Sequence, residues 1–175
     1  MTTNLEIQLL TSYKDKSYIM GILCEQSYNH YTFIKNMINI PLILVNTAMT
    51  ILNSAIFDAN DLKIPNIILN STTGVIIGLI SSFKVYEKIH AFHQLQSKFN
   101  KLYSTIEKKL VMNVENISDD EINAFIETYD NLIDSMEYPV SDKIKNKVKK
   151  QFIDKLTLPT ILSIDIVECR DNCCA

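Results

Sequence analysis

Glu87, His90 and His93 stand at i, i+3 and i+6. On a helix that spacing sets three metal-ligand side chains within two turns of one another. A metal site of this kind also draws ligands from a second helix, and the one other histidine, His30, lies far upstream. A polar helix face is therefore the competing reading. Nucleophilic chemistry has less to work with, because no Ser/His/Asp or Cys/His spacing supports a charge-relayed nucleophile. With three glycines in the chain, there is no glycine-rich loop to cradle a phosphate. Cys169, Cys173 and Cys174 crowd the last seven residues, but a C-a-a-X prenylation box needs its cysteine fourth from the end, where Asn172 stands. S-acylation of these three cysteines and an unmodified tail both remain open. The sequence predicts no enzyme and no cofactor.

The elements that would position such residues are marked by where charge is missing. All 37 charged residues avoid two windows, Asn36 to Phe57 and Ile64 to Phe83, of 22 and 20 residues. At 21% charged overall, windows of this combined length would hold about nine charges by chance. As helices they run about 33 and 30 Å, close to the roughly 30 Å thickness of bilayer hydrocarbon. Charge bounds each of them, Lys35 and Asp58 on one, Lys63 and Lys84 on the other. The intervening Asp58-Ala-Asn-Asp-Leu-Lys63 suits a tight turn, and Pro65 suits the first turn of a helix. The fold expected is all-α: a two-span transmembrane helical hairpin whose long helices extend into a cytosolic helical bundle. A buried helical pair in a soluble protein is the alternative. Lysines flank the outer ends of both windows, which places both termini on the cytosolic side of a multi-pass membrane protein. The first 35 residues carry Glu6, Lys14, Asp15, Lys16, Glu25 and Lys35, unlike a secretory signal, so reduced thiols are expected.

Neither window is uniformly apolar. Asn39, Asn46 and Asn53 recur every seven residues and share one helix face, which Thr50 joins. In the second window Asn70, Gly74, Gly78 and Ser82 recur every four, a small-xxx-small pattern that lets helix backbones approach closely. Polar atoms facing lipid tails go unsatisfied, so these faces must meet protein or water. Helix packing, within the hairpin or between subunits, is one reading. A water-filled path lined by Asn39, Asn46, Thr50 and Asn53 in an oligomer is the other.

Beyond the windows, the second helix is expected to continue unbroken from Lys84 to about Asn113, with Val85, Ile89, Phe92, Phe99, Tyr103, Ile106 and Leu110 forming a seam. Ser118-Asp-Asp-Glu121 reads as a capping box opening a helix that Pro139 ends. Ser141-Asp142 opens a lysine-rich helix carrying Lys143, Lys145, Lys147, Lys149 and Lys150 around Ile144, Val148 and Phe152. That run is either a solvated face or a surface drawn to an anionic leaflet. Upstream, residues 4–35 look helical. The expected organisation is 1–35 as a juxtamembrane helix, 36–83 as the hairpin, 84–156 as the bundle and 157–175 as a tail.

A first helix entering a short-looped two-span hairpin, followed by a long helix from near Lys84, resembles the SLATT family of two-transmembrane effector domains associated with SMODS nucleotidyltransferases and SLOG sensors. The stretches that carry the likeness are His93-Gln-Leu-Gln-Ser-Lys-Phe-Asn-Lys-Leu-Tyr103, Phe125-Ile-Glu-Thr-Tyr129 and Glu137-Tyr-Pro139. The resemblance covers residues 5–155 and implies a homo-oligomeric, pore-forming membrane effector. This chain departs from it in carrying no recognisable sensor domain. Sixteen lysines against one arginine, with abundant Ile and Asn, are the codon imprint of an AT-rich genome such as that of a large DNA virus. The expected partners are the bilayer, further copies of the chain and a protein docked on the cytosolic helices. A net charge of −3 argues against a nucleic-acid partner. The competing function is a membrane-anchored structural or interaction protein, in a cellular or viral membrane, with no transport activity.

Overall fold

The computed structural model describes residues 4–54, 63–112, 117–153 and 155–163, and every element among them is a helix. In order they are α1 (Asn4–Ser54), α2 (Lys63–Ser82), α3 (Val85–Met112), α4 (Asp119–Asp134), α5 (Asp142–Phe152) and α6 (Thr160–Ser163). Three glycines and four prolines in the chain leave little to interrupt helical hydrogen bonding. At 51 residues, α1 runs about 77 Å. It passes through the expected boundary at residue 35 without a break and carries Pro41 in its interior. Pro41 removes one backbone donor.

The chain forms two compact units, one of the residues up to Tyr28 with those from Ala91 onward, the other Asn29–His90. The first has a core of ordinary kind. Leu10, Ile19, Met20, Leu23 and Cys24 of α1 are buried, as are Phe92, Leu95, Phe99, Leu102 and Ile106 of α3. The α3 set steps by three and four, and on α1 Leu23 and Cys24 lie three and four residues after Met20, the spacing that keeps one stripe inward. The buried hydroxyls of Ser17 and Ser27 donate to the carbonyls of Tyr13 and Leu23 at 2.7 and 2.8 Å, so neither burial leaves an unmet polar atom. Tyr129 of α4 meets Tyr13 edge-on at 5.4 Å between centroids and Phe99 at 6.0 Å. Tyr18 sits 5.2 Å from Tyr103 and 6.0 Å from Phe152.

Three features depart from the sequence reading. The helix expected to run unbroken from Ile64 to Asn113 is interrupted at Phe83 and Lys84. The Lys84 N–H donates to the Ser81 carbonyl at 3.0 Å, a tightened last turn, and Lys84 itself takes φ 52°. Its carbonyl then accepts from the Lys88 N–H at 3.0 Å to start α3. The second departure is at α4. This helix begins at the Ser118 cap as the sequence implies, with the Ser118 hydroxyl accepting from the Glu121 N–H at 3.3 Å. It stops at Asp134 rather than near Pro139, because the Ser135 hydroxyl donates to the Leu132 carbonyl at 2.8 Å and satisfies one of the carbonyls left open at a helix end. Third, the expected tail from residue 157 contains α6, where Leu162 is fully buried, as is Pro159 just before it.

Candidate functional site

Within the unit Asn29–His90 much apolar surface faces outward. On α1 the outward positions are Met37, Ile40, Ile43, Leu44, Val45 and Ile51, and on α2 they include Ile64, Ile67, Ile68, Val75 and Ile77, all exposed. Leu44 and Val75 are each 64% exposed, part of an apolar surface far larger than isolated surface residues make. Asn39 and Asn46 on α1 and Asn66 and Thr73 on α2 are half-buried, in step with the half-buried Leu42, Met49, Leu69 and Ile76, whereas Thr47, Thr50, Asn70, Ser71 and Thr72 are exposed. α1 and α2 are long and apolar enough to cross a membrane, and their most apolar stretches are 0% and 6% buried.

Where the polar positions meet, Asn46, Met49 and Thr50 of α1 and Asn66, Leu69, Asn70 and Thr73 of α2 line a cleft of about 400 Å³. Five of these seven residues are amides or hydroxyls, and none is titratable. The cleft can therefore hold water or an ion through neutral dipoles, and it has no group for acid–base work. Three hydroxyls on these helices are met locally: Thr47, Thr50 and Thr72 donate to the carbonyls of Ile43, Asn46 and Ile68 at 2.8 to 2.9 Å. Thr73 differs, since its hydroxyl oxygen is buried and has no hydrogen-bond partner among the described residues.

The same unit has a second polar zone. The Asn39 amide donates to the Tyr86 hydroxyl at 3.0 Å. The Lys35 ammonium stands 5.9 Å from the centre of the Tyr86 ring and the Lys88 ammonium 5.3 Å from that of Tyr31. Partners 31 with 88, 39 with 86 and 46 to 50 with 66 to 73 run in opposite senses along the chain.

The residues singled out in sequence thus separate. Asn46, Thr50 and Asn70 come together at the cleft, and Asn39 lies at the tyrosine zone instead. Asn53 belongs to α1, but its side chain is outside those described. Gly74, Gly78 and Ser82 point away from the cleft and are exposed, and a Cβ added at either glycine would meet nothing within 4 Å. Asn66 and Thr73 were missed as site residues. The signal that finds them is polar residues seven apart on α2, in step with Leu69 and Ile76. Cys169, Cys173 and Cys174 lie outside the described residues. Glu87 pairs with Lys84 at 3.5 Å, His93 lies 5.2 Å from the Tyr28 ring, and no three His, Cys, Asp or Glu side chains among the described residues gather to hold a metal. Against known proteins, the chain matches no family model, no curated protein and no solved structure.

Proposed function

We propose that the protein is an integral membrane protein that crosses a bilayer twice as a helical hairpin, Asn36–Phe57 and Ile64–Phe83, and assembles with further copies into a pore-like membrane effector of the SLATT kind. The observation that carries this reading is the neutral polar cleft between two helices whose outward faces are largely apolar. Hydrocarbon satisfies these apolar faces and offers nothing to a polar cleft, in which the buried Thr73 hydroxyl has no hydrogen-bond partner among the described residues; water, an ion or another subunit would supply one. The tyrosine and lysine zone of Lys35, Tyr86, Lys88 and Tyr31 supports placing that end at a membrane surface, where aromatic and basic side chains collect. Lysine excess on this side supports cytosolic termini.

The test uses the full chain reconstituted in vesicles, with cross-linked stoichiometry and dye release measured together. The triple change Asn46→Leu, Asn66→Leu and Asn70→Leu should insert at least as well as the natural chain and lose dye release. Release of the natural protein into the supernatant at alkaline carbonate would end the membrane-spanning reading. Retention in the membrane with no dye release by the natural chain would leave the second reading, a membrane-anchored interaction protein. One feature favours that alternative: a mainly apolar hollow of about 450 Å³ between α3 and α4, with Leu102, Phe125 and Leu132 in its wall, large enough to take side chains of a partner.

A further inference from the structure

The lysine-rich helix α5 is unlike every other helix of the first unit. Its apolar stripe of Ile144, Val148 and Phe152 is buried, so it is already used inside the protein. The remaining arc carries Lys143, Lys145, Lys147, Lys149 and Lys150. Asp142 is the single acidic residue of the helix, and it pairs with Lys145 at 3.5 Å. Lys143, Lys147 and Lys150 are exposed. A chain with net charge −3 therefore concentrates positive charge on one outward helical face.

We infer that this face of α5 binds the anionic headgroups of a bilayer, electrostatically and without inserting. The inference rests on the membrane-spanning reading above, because spans in the same chain would tether it to a bilayer and raise the effective concentration of headgroups. Two observations select lipid over other polyanions. No aromatic side chain is interleaved among the five lysines to stack on bases. Charge on the rest of the chain is acidic on balance, which opposes long-range attraction of nucleic acid. Burial of Ile144, Val148 and Phe152 excludes the inserted mode of amphipathic helices, whose apolar face enters the acyl boundary.

The experiment uses the full chain in vesicles, with a fluorophore at Asn146→Cys in a background of Cys169→Ser, Cys173→Ser and Cys174→Ser. Energy transfer to headgroup-labelled lipid is read in zwitterionic vesicles and in vesicles with about 30 mol % phosphatidylserine, the class of anionic lipid that draws polybasic segments. Transfer should be at least about threefold higher with phosphatidylserine at about 0.1 M salt and fall to the zwitterionic level at about 1 M, as the screening length shrinks from about 10 to 3 Å. The change Lys143→Gln, Lys147→Gln, Lys149→Gln and Lys150→Gln should remove the difference while far-ultraviolet circular dichroism stays the same. Each lysine removed near such a surface weakens attachment roughly fivefold. Equal transfer in the two lipids, or transfer that survives high salt, overturns the inference, and so does a preference for added RNA or acidic peptide over the vesicle. Carbonate extraction of the same samples separates the two readings: protein that stays in the pellet without the lipid-dependent transfer defeats the α5 assignment alone, and protein that is released defeats both.

Discussion

Asn39 and Tyr86, 47 residues apart, share a hydrogen bond of 3.0 Å from amide to phenol. The bond ties α1 to the first turn of α3 at the level where Lys35 also meets the Tyr86 ring. On the membrane-spanning reading an amide in hydrocarbon without such a partner is a liability, so the pair favours turning this face of α1 toward α3.

The Asn39–Tyr86 contact should show as a coupling. Polar contacts in membranes average about 0.6 kcal/mol and stay under about 2. Asn39→Leu and Tyr86→Phe should each lower the unfolding midpoint in detergent slightly, with a non-additivity of this size in the double variant. Strictly additive effects would mean that the bond contributes nothing.

Gly74 and Gly78 face open space within one chain, so larger residues there leave the folded chain intact. If copies pack on this stripe, Gly74→Leu with Gly78→Leu should reduce the cross-linked oligomer about tenfold, equivalent to roughly 1.4 kcal/mol of lost close packing. Helix content should not fall. An unchanged oligomer would move the subunit contact to another face.

Lys84 holds a left-handed backbone at φ 52°, which disfavours any residue with a Cβ by about 1–2 kcal/mol. Glycine loses more freedom on folding, which offsets about half of the gain. The exposed Lys84–Glu87 ion pair contributes little. Lys84→Gly should therefore stabilise by about 0.5–1 kcal/mol and Lys84→Val should destabilise by a similar amount, read from denaturant midpoints. Stabilisation by valine would show that the break is not held in this conformation.

Stability should fall at both ends of the pH range. Burial pushes the Cys24 thiol up from 9.0 to about 12, and burial, then the neighbouring Tyr13, raises the Tyr129 hydroxyl. Their folded values lie above the unfolded ones, so their contribution is complete below about pH 9 and is lost as pH rises toward 12. Glu121 is shifted the other way, first by its 2.6 Å hydrogen bond from Lys109. Its contribution is present above the ordinary carboxylate value of 4.5 and is lost as pH falls below it. Denaturant midpoints should be level between these limits. Cys24→Ala should flatten the alkaline fall, and an unaltered fall would exclude Cys24 as a cause.

How far the sequence reveals this structure depends on the kind of signal each residue carries. Scarce glycine and proline announce helices, and Ser118 announces the start of α4, because those preferences are local. The break at Lys84 has no such marker, since lysine does not favour left-handed backbone. The cleft was half legible. Asn46, Thr50 and Asn70 stand out by spacing, but α2 carries two polar lines, one through Asn66 and Thr73 and one through Gly74, Gly78 and Ser82. The line that turns inward is the one in step with the half-buried Ile76 and the buried Ile80, and spacing along one helix does not report its rotation.

The polar cleft also sets a timetable for synthesis. Asn46 and Thr50 leave the ribosome before Asn66, Asn70 and Thr73 exist, and at about 5–20 residues per second the 24 residues from Asn46 to Asn70 take about 1–5 s. On the membrane-spanning reading, the first helix during that interval lacks the facing polar wall of the cleft and is a poor solute for lipid. In a bilayer it must wait inside the insertion machinery or beside a holding factor until the second helix arrives. Nascent chains halted before α2 has emerged should be released by carbonate, and chains halted after residue 110, with α2 clear of the exit tunnel, should be retained.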